Sequence, residues 1–432
     1  MAVLHAVIKH IVWSQYQWDY GPPRDKNHLL SFGNECWMRG FHGTGHGKQD
    51  LHESPGMNKE QTAPGSAFFG DPGQIGVSRG LGEFHGRRPV IVTAPGEALL
   101  ALPVEGLDGQ RLAEFSALCA PAAPALIITE RRAFALGLNA TTPVAVPLSA
   151  GHDAAAIVAL VSATVSDRMP AASPASRTAT AAVQLAKLSH LLPAVLAADV
   201  AGRALSCTDT IVQVDANAVS RLADDAARSL VIASEASVPL ASGAPSRFIV
   251  FRDAMGDSPV AVIVGKPDMT RPVPVRLHSA CLTGDVFGSR RCDCGDQLRL
   301  ALTTLEQLGG GIVLYLPQEG RGLGLANKMR TSQLQDEGLD TFDANTTLGF
   351  DDDERDYGVA GRMLRMLDCT RVVLLTNNPA KLDGLTAAGI EVAGRMQLEV
   401  PINSDSRRYM IAKAERSGHK LEHPIVLLAD QS

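Results

Sequence analysis

Short apolar runs alternate with amphipathic segments through the second half of this 432-residue chain. The runs PVAVIVG, PVPVRLHS, GIVLYLPQ and RVVLLTN have the composition of buried strands. Between them, DQLRLALTTLEQLG places its leucines at helical spacing and ends at Gly309 and Gly310, and DERDYGVAGRMLRMLD predicts a second helix. Because strands that alternate with helices build a sheet covered by helices, we predict an α/β (α+β) fold.

Composition divides the chain into four segments. Residues 1–84 contain all three tryptophans, are rich in Gly and Pro, and show no sustained period, which predicts an irregular or disordered extension. RPVIVTA and ALIIT, with helical spacing in RLAEFSALCA and ERRAFALGL, predict a smaller α/β domain over residues 85–165. The proline-containing SDRMPAASPASRTATAA and the following KLSHLLPAVLAADV predict a linker and a short helix over residues 166–204. Residues 205–425 form the last predicted domain.

The bulk composition excludes several classes of protein. The net charge is −6, so no broad basic field favours nucleic acid, and we predict no nucleic-acid partner. No apolar run reaches the roughly 18 residues that span a bilayer, so we predict no membrane partner. Seven cysteines in a chain of this length do not form a disulfide framework. A reducing compartment fits them, and we expect a cytoplasmic protein.

Cys281, Cys292 and Cys294 form a Cys-x10-Cys-x-Cys pattern in a loop rich in Gly and Asp. Three thiolates occupy three corners of a zinc tetrahedron and leave the fourth open, as in catalytic zinc sites. Zinc lowers the pKa of a water in that position. The alternative is three buried thiols that act as small hydrophobes. Arg290 and Arg291 stand beside the cysteines and argue against such a core environment.

A glycine-rich charged loop, PQEGRGLGLANK, directly follows the apolar run GIVLYL. Glycines such as Gly320 let the backbone approach a ligand closely, and Glu319 and Arg321 flank it. A strand that leads through such a loop into a helix is a common way to hold phosphates. An ordinary glycine turn is the alternative.

The acidic run GFDDDERDYG contains one cation, Arg355, among its carboxylates. Acids are favoured at the start of a following helix, so capping alone explains several of them. It explains the arginine less well, because flanking carboxylates orient it strongly. A neighbour such as Asp353 can also accept a proton.

Thr376 and Lys381 belong to the segment TNNPAK, which follows the strand-like run RVVLLTN. Open α/β sheets bind ligands at the carboxyl ends of their strands. The alternative is an Asn-Pro turn that begins a helix.

Together these motifs resemble GTP cyclohydrolase II, the enzyme that opens the guanine ring at the start of riboflavin synthesis. The resemblance covers residues 245–420 and includes, in order, RLHSACLTGD, RCDCG, QEGRGLGLANK, LGF-x-DDERDYG, LLTNNPAK and AKAERSGH. It implies that the last domain has a mixed sheet with helices, binds one Zn²⁺ per subunit and acts on GTP as a homodimer. Mg²⁺ is implied with the substrate phosphates, because it prefers hard oxygen ligands.

The resemblance also assigns residues to roles. It places zinc on the three cysteines, makes Arg355 the nucleophile that attacks the α-phosphorus and releases pyrophosphate, and makes Asp353 the proton acceptor. The C8 atom leaves as formate, and the product is 2,5-diamino-6-(ribosylamino)pyrimidinone 5′-phosphate. The residues it assigns to GTP are Arg276, Leu277, His278, Ser279, Ala280, Gln297, Glu319, Gly320, Arg321, Thr341, Thr376 and Lys381.

Two positions depart from the family pattern. Ala280 stands where the family generally has Glu, and Ser332 stands where it usually has a Tyr associated with hydrolysis of the formyl intermediate. These departures leave two alternatives among enzymes, a relative that retains the formyl group and one that acts in pyrimidine breakdown. A third alternative is an inactive zinc-containing nucleotide-binding regulator, against which the complete set of cysteines, Asp353 and Arg355 argues.

The segment from residue 85 to 165 resembles dihydroxybutanone phosphate synthase through GRRPVIVT and LIITERRAFALGL. That enzyme needs an acidic loop after its first strand, where this chain reads APGEALLALP with Glu97 as its only acid. We therefore predict a degenerate, non-catalytic domain that supports folding or dimer contacts.

Overall fold

The computed structural model describes residues 70–149, 151–164, 172–203 and 210–401, which build two seven-stranded sheets with helices packed on them. Both sheets contain parallel and antiparallel pairs. The predicted α/β class is therefore confirmed, with a mixed sheet in each half. Within these residues, none of the helices has the length and apolarity to cross a bilayer. The predicted irregular extension lies outside the described residues up to residue 69.

The first sheet has the strand order β5-β4-β3-β6-β2-β1-β7, with β1 and β7 parallel and the other neighbours antiparallel. Its strands are β1 (Val90–Ala94), β2 (Glu97–Pro103), β3 (Ala125–Ile128), β4 (Val144–Pro147), β5 (Ser173–Pro174), β6 (Ala194–Asp199) and β7 (Gln213–Asp215). The helices in this part are α1 (Pro72–His85), α2 (Gly109–Cys119), α3 (Glu130–Ala135), α4 (Ala154–Ser162), α5 (Arg177–Leu188) and α6 (Ala216–Ser220).

The first domain extends further along the chain than the predicted residues 85–165. The segment predicted as a linker and a helix contains α5 and then β6, which pairs with both β2 and β3 in the middle of the sheet. The sequence of β6, AVLAAD, is rich in alanine and favours a helix locally, but burial between two strands outweighs that preference. Helix α1 also lies in the segment predicted to be irregular, where the Asp71 side chain caps it and Pro72 begins it.

The second sheet has the order β14-β13-β11-β12-β10-β9-β8. Its strands are β8 (Val231–Ser237), β9 (Ser246–Arg252), β10 (Val260–Gly265), β11 (Val273–Ser279), β12 (Gly310–Leu316), β13 (Arg371–Leu375) and β14 (Glu391–Met396). The helices here are α7 (Leu222–Ser229), α8 (Cys294–Gln307), α9 (Leu325–Asp336), α10 (Thr341–Leu348), α11 (Gly358–Met366) and α12 (Pro379–Ala387). A π-helical turn covers Leu282–Val286, and a 3-10 turn covers Glu319–Gly322.

Three parallel strands in the second sheet end at one edge. Strand β11 pairs in parallel with β12 on one side and with β13 on the other. Their carboxyl ends therefore place three connecting loops side by side. The predicted helix DERDYGVAGRMLRMLD begins later than expected, at Gly358, so the acidic residues before it form a loop at this edge rather than a first helical turn.

One hydrophobic core is common to both domains. Leu334, Leu348 and Phe350, from the region of α9 and α10, pack in the same buried cluster as Leu126 and Leu196 of the first sheet. We call this cluster the shared core. Because α9, α10 and Phe350, two residues after α10, pack in this core, the loops that carry the candidate site rest on the first domain as well as on their own sheet.

Candidate active site

A cavity of about 1270 Å³ opens where β11, β12 and β13 end. Protein cavities that bind small molecules typically measure about 300–1,000 Å³, so a nucleoside triphosphate has room here. Most predicted site residues line this cavity: Arg276, His278, Ser279, Ala280, Cys281, Cys292, Cys294, Gln297, Glu319, Gly320, Arg321, Thr341, Arg355, Thr376 and Lys381. The structure thus brings together residues from motifs that are up to a hundred positions apart along the chain.

Two predicted residues lie off the wall of the cavity. The Leu277 side chain is buried in the core of the second sheet, and its backbone carbonyl accepts a hydrogen bond from Lys381 at 2.7 Å. Asp353 lies behind Arg355 and contacts the cavity through that side chain. Both residues therefore act on the cavity through a neighbour.

The three cysteines converge at one corner of the cavity. Cys281 follows β11, and Cys294 is the first residue of α8. All three sulfur atoms lie within 4.8 Å of one another, and the Cys281 and Cys292 Sγ atoms are 3.7 Å apart. Tetrahedral zinc with Zn–S bonds of about 2.3 Å requires sulfurs roughly 3.8 Å apart. The spacing therefore fits zinc.

Gly284 leaves the space that the sulfur atoms need. A Cβ at this position would lie 2.9 Å from the Cys292 Sγ and 3.1 Å from the Cys281 Sγ. Any larger residue would push the thiols apart. The π-helical turn that carries Gly284 is thus shaped around the cysteines.

A lysine in the first turn of α9, the helix that follows the glycine-rich loop, contacts this corner. The Lys328 Nζ lies 3.0 Å from the Cys281 Sγ, 2.9 Å from the Thr283 hydroxyl and 2.7 Å from a Glu319 carboxylate oxygen. Hydrogen bonds from Cys292 and Cys294 lower the pKa of Cys281 most, and Lys328 lowers it further. This environment favours the thiolate, the form that binds a metal.

Asp285 organises the strand end beside the cysteines. Its carboxylate contacts the His278 Nε2 at 3.0 Å and accepts hydrogen bonds from the Tyr315 hydroxyl at 2.9 Å and the Cys281 backbone N–H at 3.0 Å. Burial lowers the pKa of His278 and outweighs the opposing effect of Asp285. We therefore infer that His278 is neutral and that its Nε2–H donates to Asp285. Asp285 follows Cys281 by four residues along the chain, but the sequence motifs predicted no role for it.

Arg276 begins a buried chain of hydrogen bonds. Its Nη2 donates to the Gln297 side-chain oxygen at 2.6 Å, and the Gln297 amide donates to Asp293 at 2.6 Å. Burial lowers the pKa of Arg276 to about 10. The chain ties β11 to the first turn of α8 and fixes Gln297 at the cavity.

Arg355 and Asp353 form a two-point ion pair. The Arg355 Nε and Nη2 atoms donate to the two Asp353 carboxylate oxygens at 2.7 and 2.5 Å, and Nη1 donates to the Ser279 hydroxyl at 3.4 Å. Burial raises the pKa of Asp353, but the hydrogen bond and charge of Arg355 lower it by more. Such bidentate pairing fixes the plane of the guanidinium, so its remaining edge is oriented at the cavity wall.

Arg321 reaches the cavity because its backbone is left-handed, with φ at 61°. Its Nη1 donates to the Asp352 carbonyl at 3.2 Å, and its guanidinium lies 5.5 Å from the centre of the Phe342 ring. A non-glycine residue in this conformation is uncommon and marks a local constraint. The neighbouring Thr341 accepts a hydrogen bond from Gln335 at 2.7 Å.

Lys381 is a buried cation near the carboxyl end of β13. It lies on α12, which Asn378 caps and Pro379 begins. Thr376, directly after β13, accepts a hydrogen bond from the Asn378 N–H at 3.0 Å. The TNNPAK segment therefore starts a helix, as the alternative interpretation held, and also places Lys381 and Thr376 at the cavity.

Ser332 lines the cavity from α9. Its hydroxyl donates to the Lys328 carbonyl one turn earlier, at 3.0 Å. Among the described residues that form the wall, none is a tyrosine. No tyrosine among these wall residues therefore supplies the phenol that the family usually has at the position of Ser332.

The fold and site define an α/β enzyme with a three-cysteine site beside a cavity that fits a nucleotide. The sequence pattern of GTP cyclohydrolase II matches residues 231–397. A GTP cyclohydrolase-2 of Xylella fastidiosa (strain Temecula1) is 38% identical over 369 residues, which cover 84% of this chain and 92% of that protein. A GTP cyclohydrolase-2 of Azospirillum brasilense is 41% identical over 354 residues, 78% and 91% of the two chains. The chain therefore belongs to the GTP cyclohydrolase II family.

Two further relatives match differently. The riboflavin biosynthesis protein RibBA of Parabacteroides distasonis is 48% identical over 178 residues, which cover 41% of this chain and 44% of that protein. A crystal structure of RibBX, a two-domain 3,4-dihydroxy-2-butanone 4-phosphate synthase from A. baumannii, aligns with 75% of this chain and 99% of its own, at 13% identity and a TM-score of 0.29.

Proposed function

We propose that the protein opens the imidazole ring of GTP, releasing pyrophosphate and formate, to form 2,5-diamino-6-(ribosylamino)pyrimidinone 5′-phosphate, the first step of riboflavin biosynthesis. The names of its relatives support the pathway. The observation that carries the proposal is that Arg355, which is paired with Asp353, lines the same cavity as the three cysteines. That arrangement allows phosphate chemistry and ring chemistry on the same bound nucleotide.

Arg355 and Asp353 carry the phosphate chemistry in this proposal. A guanidinium nitrogen of Arg355 attacks the α-phosphorus, the bond from that phosphorus to the bridging oxygen breaks, and pyrophosphate leaves with the bond electrons. The guanidinium must lose a proton as it attacks, and the Asp353 carboxylate is in contact to accept it. Water later cleaves the nitrogen–phosphorus bond. Arg321 and Lys381 supply positive charge along the cavity, and Mg²⁺ accompanies the phosphates.

The base lies at the other end of the cavity in this proposal. Cys281, Cys292 and Cys294 would hold a zinc ion, which when bound would supply Lewis-acid chemistry for hydrolysis at C8. Lys328 and Asp285 hold the cysteine loop in place. Gln297, fixed by Arg276 and Asp293, presents an amide to the purine. The family resemblance also supports a homodimer as the working form.

The test follows pyrophosphate, formate and the nucleotide product by mass after incubation with GTP, zinc and magnesium. Arg355→Ala is expected to abolish pyrophosphate release because it removes the nucleophile. Cys292→Ser is expected to spare that release and stop ring opening. Arg371→Ala, which removes an exposed pair with Glu391, is the matched control and should turn over normally. Normal pyrophosphate release by Arg355→Ala would refute the assigned nucleophile.

A second candidate product keeps the formyl group on the pyrimidine. The observation that favours it is the Ser332 hydroxyl, which is bonded within its own helix and lies where the family usually has a tyrosine. Formate and pyrophosphate released in equal amounts would exclude this product. A nucleotide that retains the formyl carbon, with pyrophosphate in excess of formate, would establish it.

We also propose that the first domain has no synthase activity. Glu97, the only acid in the expected catalytic loop, accepts hydrogen bonds from the Thr178 hydroxyl at 3.1 Å and its N–H at 3.3 Å. It thereby holds the start of α5. Conversion of ribulose 5-phosphate by the pure protein would contradict this.

A further inference from the structure

The loop between α10 and α11, residues 349–357, faces two domains at once. Asp353 and Arg355 form their pair on the side of the cavity. Asp351 and Glu354 turn the other way and contact cations of the first domain. We call this segment the two-faced loop. Because residues on the two sides of this short loop alternate along the chain, contacts that fix Asp351 and Glu354 also fix the positions of Asp353 and Arg355.

Two cations of the first domain hold the outer face. The Lys187 Nζ, near the end of α5, lies 2.6 Å from a Glu354 carboxylate oxygen and 3.4 Å from Asp351. The Arg131 Nε, on α3, lies 2.7 Å from the other Asp351 oxygen. Lys187 and Glu354 are only 12% and 18% exposed. Solvent screens such a pair less than the usual surface pair, so it restrains the loop more strongly.

Glu354 also bonds to the backbone near the site through its side chain and its own N–H. The Glu354 side chain accepts from the Asp351 N–H at 2.8 Å, which closes the loop on itself. The Glu354 N–H donates to the Arg321 carbonyl at 3.0 Å. A shift of Glu354 therefore moves both Arg355, the next residue, and the backbone of Arg321 at the cavity.

Buried polar contacts fix the start of the loop to the first domain. The Thr129 hydroxyl donates to the Gly349 carbonyl at 2.7 Å. Arg132, which is 2% exposed, donates to the Thr347 carbonyl and to the Leu160 and Ala163 carbonyls at 2.8 and 2.7 Å. A buried guanidinium whose donors are matched in this way has little freedom to move.

We propose that the first domain positions the catalytic arginine, and that Lys187 is the main positioning residue for the pyrophosphate-releasing step. This rests on the proposed function of Arg355. The domain contributes no group to the cavity wall among the described residues, and acts through the Lys187–Glu354 and Arg131–Asp351 pairs. Because misplacement of a reacting group by about 1 Å can cost roughly 100-fold in rate, a loosened loop should slow the reaction.

The test compares Lys187→Met with the wild type in steady-state pyrophosphate release. We expect kcat to fall about 10- to 100-fold because Arg355 is no longer held in position. The KM for GTP should stay within about twofold of the wild-type value, because the substitution leaves the residues that line the cavity unchanged. Lys187→Arg, which can pair with both carboxylates, should recover most of the rate. Glu354→Gln, which breaks the same pair from the loop side, should repeat the loss. The control is Arg88→Met, which removes an exposed ion pair with Glu83 elsewhere in the first domain.

Hydrogen exchange separates failure of this proposal from failure of the proposed function. If the wild type releases no pyrophosphate from GTP, the assigned reaction is wrong, and amide exchange over residues 349–357 then decides the positioning role. Faster exchange there in Lys187→Met, with the melting temperature near that of Arg88→Met, supports it. Unchanged exchange, or wild-type kcat in both Lys187→Met and Glu354→Gln, would overturn it.

Discussion

At the scale of single residues, one carboxylate and one lysine define the corner that holds the cysteines. Asp285 receives a side-chain donor from β12, a contact from a histidine in β11 and the N–H of Cys281. Lys328 approaches the Cys281 sulfur from α9, 47 positions away along the chain. Metal-binding residues are commonly oriented by such outer contacts. The position of Cys281 therefore depends on three separate elements.

The sequence pointed to the cysteines, Arg355 and Asp353 as candidates because each lies in a short local motif, and their roles stay predictions. It could not identify Lys328 as the partner of Cys281, or Lys187 as the partner of Glu354, which is 167 positions away. Contacts at such separations depend on how the sheets and helices pack. No local period or spacing encodes them.

Restoring the missing phenol tests the importance of Ser332. We expect Ser332→Tyr to raise the amount of formate released per pyrophosphate, because the ring places a hydroxyl further into the cavity than serine does. Ser332→Phe, which adds the ring without the hydroxyl, is the matched control. The ratio is measured from GTP with both products quantified in the same reaction. An equal rise in both variants would show that cavity volume, not the hydroxyl, governs the outcome.

At the scale of elements, four of the seven strands of the second sheet, β10 to β13, were predicted well, and the borders of the first domain were not. The strands β10 to β13 are apolar runs whose neighbours are turn residues or amphipathic helices, so local composition identifies them. Strand β6 is mostly alanine, and its state is decided by its neighbours β2 and β3. The late start of α11 has a similar reason, because Asp353 is engaged by Arg355 and does not cap a helix.

The end of α10 offers a test of the contact between the domains. Gly349 has a φ of 88°, and a Cβ there would lie 2.9 Å from the Thr129 hydroxyl and 3.1 Å from Pro193. We expect Gly349→Ala to cost more than the roughly 1–2 kcal/mol of a left-handed alanine, because it also separates these contacts. Gly243→Ala, at a φ of 83° in open space, measures the backbone cost alone.

The measurement for Gly349→Ala is the free energy of unfolding in urea, together with the rate of pyrophosphate release. Gly349→Ala should lose more stability than Gly243→Ala. It should also release pyrophosphate more slowly, because the two-faced loop begins at residue 349. Equal losses in the two alanine variants would show that the contact with Thr129 contributes nothing.

At the scale of the whole molecule, the joint between the domains should weaken in acid. Burial raises the pKa of Asp351, but the hydrogen bond from Arg131 and the charge of Lys187 lower it by more, so the net pKa lies below the ordinary 3.8. A carboxyl with a lowered folded pKa adds stability above its ordinary pKa and loses it as the pH falls through the lowered value.

We therefore expect the melting temperature of the wild type to fall more steeply than that of Asp351→Asn as the pH drops below about 4. The variant should be less stable at neutral pH, and the two curves should converge in acid. Because Asp351 is 36% exposed, solvent screening keeps the difference below about 1 kcal/mol. Parallel curves across this range would show that the pairs with Arg131 and Lys187 do not contribute to stability.

The shared core has a consequence for any attempt to shorten the chain. Phe350 and Leu348 fill an interior that also contains Leu126 and Leu196 of the first sheet. A truncation that removed the first domain would expose those two side chains to water at the start of the two-faced loop, which carries Arg355. The last domain is therefore expected to need the first one in order to fold.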